Sequence, residues 1–433
     1  MRLTPATAIA MPRIVITGTG AICAAGKHPE DIFAAVRDGH RAIAEIRQWD
    51  ASGWPTHVAA EIVDFNAREM VEDRKLHKLI RRTDLIGLYA AGRAVEGSGL
   101  VPHRAALGEG AAAAFSDRTG VWVGSGSGNY ENDYDFFPLL TAAQHDMPAF
   151  GRKLGNTVNP MWLLRSLPNN VLGHIGIKYG FMGANACITN HSCSGALAVI
   201  EATQALRTGE AERAVAVGHD TPIEPQMVLF HSRLGLIAAD TLRPFDARRD
   251  GSLFGEGAGA LVLETEASAA ARNATVLGEV LGAGYASEGL GLLAVREDGD
   301  GLARAIREAL ADAQLSPADV GMIVAHGNGT RASDASEAAA IRTVFSTAPP
   351  PVTAFKWALG HVISAAGILE TVVALCALRQ RIVPGIGTLT EIDPDCAGLR
   401  VSAQPQTPRS DVALILSRGF AATNAALLVR AAR

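Results

Sequence analysis

The sequence has few cysteines, few aromatic residues and no excess of basic charge. Its five cysteines are odd in number and lack a Cys-x-x-Cys spacing, which argues against a disulfide framework and a structural zinc site. With aromatic residues at 5%, the composition suits packed helices and sheets better than a surface for stacking sugars or bases. A formal charge of −5 gives no basic field for nucleic acid and demands no membrane-surface helix. A reducing cytoplasm fits this composition.

What the chain does have is length and apolar content. Its 433 residues are 48% hydrophobic and 19% charged, which predicts a soluble globular protein with one large core or two to three ordinary ones. Residues 1–11 are mildly apolar but short, and they run directly into a strand pattern. We interpret them as a short N-terminal arm.

Apolar, β-rich runs alternate with helical patterns along the chain, which predicts an α/β protein. The strand-like runs lie at residues 13–17, 119–123, 186–189, 213–217, 259–264, 321–325 and 412–416. They hardly alternate in polarity, so we expect strands buried on both faces between helix layers. The clearest helical patterns lie at residues 194–208, 301–313, 333–345 and 362–379. The last is apolar nearly all round, which predicts a helix in the middle of the molecule.

Glycine-rich segments do not predict a nucleotide site. Residues 124–128 follow a strand pattern, but the third glycine of G-x-G-x-x-G is absent and no helical pattern follows. The segments at residues 18–20 and 255–259 fail the same test, and the chain has no Gly-Lys-Ser or Gly-Lys-Thr triplet. We interpret these segments as tight turns between packed elements.

A reactive turn is predicted within residues 185–196. A strand-like run ends near Asn190, and a helical pattern starts after Ser192. Backbone N–H groups and the positive end of the helix should therefore point at whatever side chain stands on the turn. This is the geometry of a nucleophile elbow.

Two further segments carry histidines beside other ionisable residues. His326 lies in AHGNGT with Asp334 and Glu337 behind it, and His361 lies in KWALGHVISAAG. A single histidine is usually structural, but two such motifs together with the turn at Ser192 favour an active site.

At these motifs the chain resembles the elongating β-ketoacyl-acyl carrier protein synthases, over almost its whole length. The segments that carry the resemblance are RIVITGTGAICAAG, RPFDARRDGSLFGEGAGALVLE, AHGNGTRASDASE and KWALGHVISAAG. The resemblance implies an α/β, thiolase-like, five-layered αβαβα fold of two similar halves, usually in a homodimer. We expect an N-terminal half over residues 1–266, which carries the nucleophile position, and a C-terminal half over residues 267–433, which carries both histidines. The seam is expected near residues 266–275.

The resemblance also assigns roles to individual residues. His326 and His361 fall on the two catalytic histidines of the family, and Lys356 and Glu370 fall on its supporting ion pair. Counting back from Gly195, the family's nucleophilic cysteine position is occupied by a serine.

That serine is Ser192, and Cys193 falls one residue later. The Thr-Ala that precedes the nucleophile in the family becomes Asn190-His191. In the closing motif, Arg418 takes the place of the aromatic gate at the acyl tunnel. The substrate-binding residues that the resemblance implies are Phe230, Thr330, Arg418, Gly419 and Phe420.

A serine at this position predicts decarboxylation without condensation. A thiol near pKa 8.5 can be held as thiolate at a helix N-terminus, whereas a serine hydroxyl keeps its proton unless a base lies within reach. Loss of CO2 from a malonyl thioester needs only two N–H donors for the enolate. The chain thereby resembles the serine-for-cysteine decarboxylases of polyketide β-branching cassettes. Arg418 could hold the malonyl carboxylate or be a surface residue at the tunnel mouth.

The resemblance implies an acyl carrier protein as partner, which also supplies the phosphopantetheine, and no cofactor or metal of the protein's own. Two alternatives stay open. Ser192 could be acylated, making the protein a condensing enzyme or acyltransferase with His191 as base, although neighbours on a tight turn usually point apart. The chain could instead be a non-catalytic partner subunit, like a chain-length factor, in a heterodimer.

Overall fold

The computed structural model describes residues 11–126, 131–346 and 348–432, except for the side chains of residues 131–135 and 422. Most of the predicted N-terminal arm and the end of the glycine run at 124–128 lie outside the described residues.

The strands in this part of the chain agree with the predicted α/β pattern. They are β1 (Ile14–Cys23), β2 (Ala44–Glu45), β3 (Val58–Ala59), β4 (Thr119–Ser125), β5 (Asn185–Ile188), β6 (Arg213–Asp220), β7 (Gly257–Thr265), β8 (Gly278–Ser287), β9 (Met322–Val324), β10 (Val352–Thr353), β11 (Val412–Gly419) and β12 (Thr423–Ala431). Each predicted run falls on a strand, whereas β2, β3, β10 and β12 were not predicted. Strands β4, β7 and β11 are buried almost throughout, as expected for strands covered on both faces.

Helices connect these strands. They are α1 (Pro29–Arg37), α2 (Ala67–Met70), α3 (Arg82–Ser98), α4 (Leu100–Ala105), α5 (Glu109–Asp117), α6 (Glu131–Ala142), α7 (Met147–Thr157), α8 (Trp162–Ser166), α9 (Asn170–Tyr179), α10 (Ser194–Arg207), α11 (Pro225–Arg233), α12 (Glu266–Ala271), α13 (Asp300–Asp312), α14 (Arg331–Phe345), α15 (Lys356–Leu359) and α16 (Ala366–Gln380).

The sheet has the same strand arrangement twice. Its order is β5-β4-β6-β7-β1 followed by β8-β12-β11-β9-β10. In the first half β4 runs parallel to β5 and β6, while β7 is antiparallel to β6 and β1. The second half repeats this with β9 parallel to β10 and β11, and β12 antiparallel to β11 and β8. The halves join where β1 and β8 pair over three residues. This repeat confirms the predicted thiolase-like fold; the boundary at residue 266 stays a prediction.

Helices α10 and α16 contact each other in the middle layer. Helix α10 packs on β4 and β6, and α16 packs on β7 and β11. Outside them, α3 covers β1 and β7, and α13 covers β8 and β12. The segment Ile363–Gln380 is long and apolar enough to cross a membrane, but 89% of it is buried in the protein. The segment is therefore a buried core helix, as its apolar composition predicted.

The glycines at 18–20 and 257–259 are not in tight turns, so that prediction was wrong. Gly18 and Gly20 lie inside β1, where a Cβ would stand 2.2 Å from the Ala94 carbonyl oxygen and 2.0 Å from that of Ala90. Gly259 lies inside β7, where a Cβ would stand 2.8 Å from the Leu369 nitrogen. Glycine is required here because helices α3 and α16 approach the strands closely.

Candidate active site

The turn at Ser192 joins β5 to α10, as the sequence predicted. A single turn of 3-10 helix spans His191–Cys193, and α10 begins at Ser194. His191 has a φ of +46°, in the left-handed region that residues with a side chain seldom adopt. The Ser192 side chain is therefore presented at the N-terminal end of a buried helix, and Ser192 is 1% exposed.

The Ser192 hydroxyl lies between two imidazoles. Its Oγ is 3.1 Å from Nε2 of His361 and 2.9 Å from Nδ1 of His191. The expectation that neighbouring side chains on this turn point apart was wrong. The His191 ring stacks on Phe420 with ring centroids 4.3 Å apart, and the positive φ of His191 allows it to lie beside the serine.

His326 and His361 meet edge to face with ring centroids 5.2 Å apart. Burial, followed by the positive charge of Lys356, lowers the pKa of both imidazoles well below 6.5, so both are neutral at pH 7. The Arg418 backbone N–H donates to Nδ1 of His326 at 3.3 Å. A neutral ring that accepts at Nδ1 carries its proton on Nε2, so His326 presents an N–H donor at that nitrogen.

Lys356 and Glu370 form a buried ion pair, with Nζ 2.6 Å from Oε1. Burial raises the pKa of Glu370 to about 7, against the lowering effect of Lys356. Both side chains lie outside the two cavities described below. The positive charge of Lys356 lowers the pKa of both imidazoles, and a catalytic role for Lys356 and Glu370 stays a prediction.

Glu337 holds the loop that carries His326. Its two carboxylate oxygens accept from the backbone N–H groups of His326 at 2.7 Å and Gly327 at 2.9 Å. The Asp334 carboxylate likewise accepts a hydrogen bond from the backbone N–H of Gly329 at 3.2 Å. Both carboxylates on α14 therefore support this loop and do not face substrate.

Cys193 does not face the imidazoles. It is 1% exposed, and its Sγ lies 3.6 Å from the Thr423 carbonyl oxygen. Burial raises the pKa of this thiol to about 12, so it carries no thiolate at neutral pH. All five cysteines, which lie in the described part of the chain, have free thiols.

Of the two places predicted for Arg418, the structure contradicts the one at the surface. Its guanidinium is buried and forms an ion pair with Glu288 at 2.9 Å, and it also donates to Asn424 at 2.9 Å. It is thus not a surface residue. Arg418 lines the larger cavity described below, so its role in binding substrate stays a prediction, with its charge already balanced by Glu288. The aromatic ring that stands at the site is Phe420, stacked on His191, so Arg418 does not replace it.

Two cavities meet at the site. The larger cavity, of about 420 Å³, is lined by Ser192, His326, His361, Thr330, Gly419 and Phe420, among others. The smaller cavity, of about 210 Å³, contains Phe230 in its wall. Phe230 therefore lines a different cavity from Thr330, although both were predicted to bind substrate. His191, His231, Ile363 and Phe420 line both cavities.

The sequence did not identify His231 as a site residue. Its ring lies 5.5 Å from that of Phe420 and 6.1 Å from that of His191. A lone histidine in a helical segment carries no motif, so only the packing of α11 against the site could reveal it.

Comparisons with known proteins place the chain in one family. Residues 11–269 match "Beta-ketoacyl synthase, N-terminal domain", and residues 277–389 match "Beta-ketoacyl synthase, C-terminal domain". The chain is 32% identical to Nodulation protein E of Rhizobium leguminosarum bv. trifolii, over 96% of this chain and 99% of that protein. It is 30% identical to 3-oxoacyl-[acyl-carrier-protein] synthase 2 of Coxiella burnetii, over 96% and 98%.

Solved structures agree with the sequence matches. The ishigamide ketosynthase/chain length factor superposes with a TM-score of 0.86 at 30% identity, over 98% of this chain and 100% of that one. A beta-ketoacyl synthase from Burkholderia phymatum STM815 gives 0.86 at 27% identity, with the same coverage. With its thiolase-like fold and its paired histidines, the chain belongs to the β-ketoacyl synthase family.

Proposed function

We propose that this protein decarboxylates malonyl-acyl carrier protein to acetyl-acyl carrier protein. The observation that carries the proposal is that His361 meets a serine hydroxyl, and not a thiol, while His326 presents an N–H beside it. Ketosynthases need no cofactor of their own, because phosphopantetheine is carried on the acyl carrier protein. We place the reaction in polyketide biosynthesis in a cytoplasm, with the enzyme as a homodimer.

In the proposed reaction, the bond between the malonyl carboxylate and the α-carbon breaks and CO2 leaves. Its electron pair moves into the thioester to form an enolate, whose negative charge develops on the thioester oxygen. Nε2–H groups of His326 and His361 stabilise that oxygen, as preorganised donors in a buried site do. One proton from water then reaches the α-carbon, which gives the acetyl thioester.

The hydrogen bonds around Ser192 suit this role for His361. If Nε2–H of His361 donates to the Ser192 oxygen, the serine proton is left to bond Nδ1 of His191. The thioester oxygen of a bound substrate would then compete with Ser192 for the same N–H donor.

Acylation of Ser192 is the second candidate, and its two short hydrogen bonds favour it. His191 is nevertheless a weak base, because burial followed by repulsion from His231 lowers its pKa to about 4. Serine hydrolases orient and charge-balance their histidine with a carboxylate. The Nε2 of His191 has no hydrogen-bond partner among the described residues, so no such carboxylate supports it.

A third candidate is a chain-length-factor-like partner subunit, which the similarity to the ishigamide ketosynthase/chain length factor favours. Such a role needs no pair of histidines facing a hydroxyl. Purified protein acting alone on malonyl-acyl carrier protein separates this candidate from decarboxylation.

The experiment is a comparison of variants in that assay. We expect His361→Ala to lower the decarboxylation rate by about 10²–10³, the usual cost of one lost donor, and Ser192→Ala to keep most of the rate. Cys193→Ala, one residue along the same turn, is the matched control and should resemble the unchanged protein. Equal inactivity of the Ser192 and His361 variants would refute the assigned roles.

A further inference from the structure

Four residues stand between the two cavities. Both cavities are lined by His191, His231, Ile363 and Phe420. Of the two, the larger alone has Ser192 in its described wall, whereas Phe230 lies in the wall of the smaller. The reacting groups and the smaller cavity are therefore on opposite sides of this set. Three of its members, His191, His231 and Phe420, have flat rings, and we call these three the ring partition.

The rings of the partition are too close together for a carbon chain to pass between them. Their centroids are 4.3 Å apart for His191 and Phe420, 5.5 Å for His231 and Phe420, and 6.1 Å for the two histidines. The ring planes are nearly parallel, at angles of 16° to 20°. A chain between two ring faces needs a spacing of about 7 Å, twice the closest favourable carbon–carbon contact. An acyl chain therefore passes between these rings only if a ring moves.

Hydrogen bonds and packing oppose such a movement. Nδ1 of His231 lies 2.9 Å from the Met227 carbonyl oxygen, and Nδ1 of His191 lies 2.9 Å from Oγ of Ser192. His231 is buried and packs edge to face on Phe254, with ring centroids 4.9 Å apart. Swinging either imidazole aside breaks its hydrogen bond inside the protein, which costs free energy. We therefore expect the partition to stay closed when a thioester binds.

We infer that the ring partition restricts this protein to short acyl groups such as malonyl and acetyl, and that His231 determines this specificity. An acyl group next to Ser192 stays in the larger cavity, because a chain that extends toward the smaller cavity meets the rings. The inference rests on the proposed function only in taking an acyl thioester as the ligand, and it does not require loss of CO2. His231 lies on α11, apart from the turn that carries Ser192, so its substitution spares the residues of that turn.

Calorimetric binding of unreactive probes tests the inference without any turnover. The probes are amide analogues of pantetheine thioesters that carry acetyl, butyryl, hexanoyl or octanoyl groups. In the unchanged protein we expect octanoyl to bind no more tightly than butyryl. In His231→Ala, octanoyl should bind about tenfold or more tightly than butyryl, because each methylene that becomes buried in the smaller cavity raises the affinity about fourfold.

Three further variants separate the partition from other effects. His231→Phe keeps a ring of similar size, so it should show the same chain-length preference as the unchanged protein. His57→Ala, at an exposed histidine outside both cavities, is the matched control for His231→Ala and should also keep this preference. Phe230→Ala enlarges the smaller cavity and should leave the affinity for octanoyl as it is, because the chain does not reach that cavity.

Several results would overturn the inference. Tighter binding of octanoyl than of butyryl by the unchanged protein, or a loss of octanoyl affinity in Phe230→Ala, would show that the chain already passes the rings. No gain for octanoyl in His231→Ala, and none when His191→Ala is added, would show that the rings do not block the chain. Absence of binding by every probe would show that the larger cavity takes no acyl-pantetheine group. The proposed function fails separately, in a protein that shows the expected chain-length preference but releases no CO2 from malonyl-acyl carrier protein.

Discussion

The backbone N–H of Arg418 donates to Nδ1 of His326 at 3.3 Å, while its guanidinium is held by Glu288 at 2.9 Å. The position of the His326 imidazole is thereby coupled to the ion pair between Arg418 and Glu288. The Glu288 side chain is fully buried, so the carboxylate depends on Arg418 for its charge balance.

Arg418→Met should lower the free energy of unfolding by about 3–5 kcal/mol, because it leaves the Glu288 carboxylate buried and unpaired. Adding Glu288→Gln should recover most of this loss, since no buried charge then remains. Urea unfolding of the two variants measures both values. A double variant no more stable than the single one would show that the ion pair is not what holds this segment.

Ser192→Cys should place a reactive thiol on the turn, unlike the native Cys193. With excess iodoacetamide under native conditions, we expect alkylation at residue 192 in the variant and none at Cys193 in the unchanged protein, because burial raises the pKa of Cys193 to about 12. Peptide mass spectrometry locates the label. Rapid labelling of Cys193 in the folded protein would contradict the geometry of the turn.

His191 should make the protein less stable in acid. Its folded pKa of about 4 lies below the ordinary 6.5, so the unfolded chain binds the proton first, and stability falls as pH drops through that window. From about pH 7.5 to about pH 5, His191→Phe should lose about 2 kcal/mol less stability than the unchanged protein. Urea unfolding at the two pH values measures the difference; equal losses would mean that His191 titrates normally.

His326 should act through its N–H and not through basicity. His326→Ala should lower the rate of CO2 release by about 10²–10³, while KM changes little because the donor matters most to the enolate. His326→Gln, which keeps an N–H donor in this position, should recover part of the rate. A loss confined to KM would show instead that His326 only binds the substrate.

The strands, the main helices and the position of Ser192 could be predicted because apolar periodicity and motif spacing are properties of the chain itself. The conformation of His191 within that turn could not, since its positive φ and its stacking on Phe420 arise only when α10 and the closing strands meet. The burial of Arg418 in an ion pair could not be predicted for the same reason. Its partner Glu288 lies 130 positions away, and no pattern in the sequence connects them.

The most direct measurement mixes equal amounts of the purified protein and malonyl-acyl carrier protein and follows the intact masses of both. The account predicts that the carrier protein loses the mass of CO2 and keeps an acetyl group, while the mass of the enzyme never changes. An enzyme that gains an acyl group at Ser192 as the carrier protein returns to its unloaded form would contradict it.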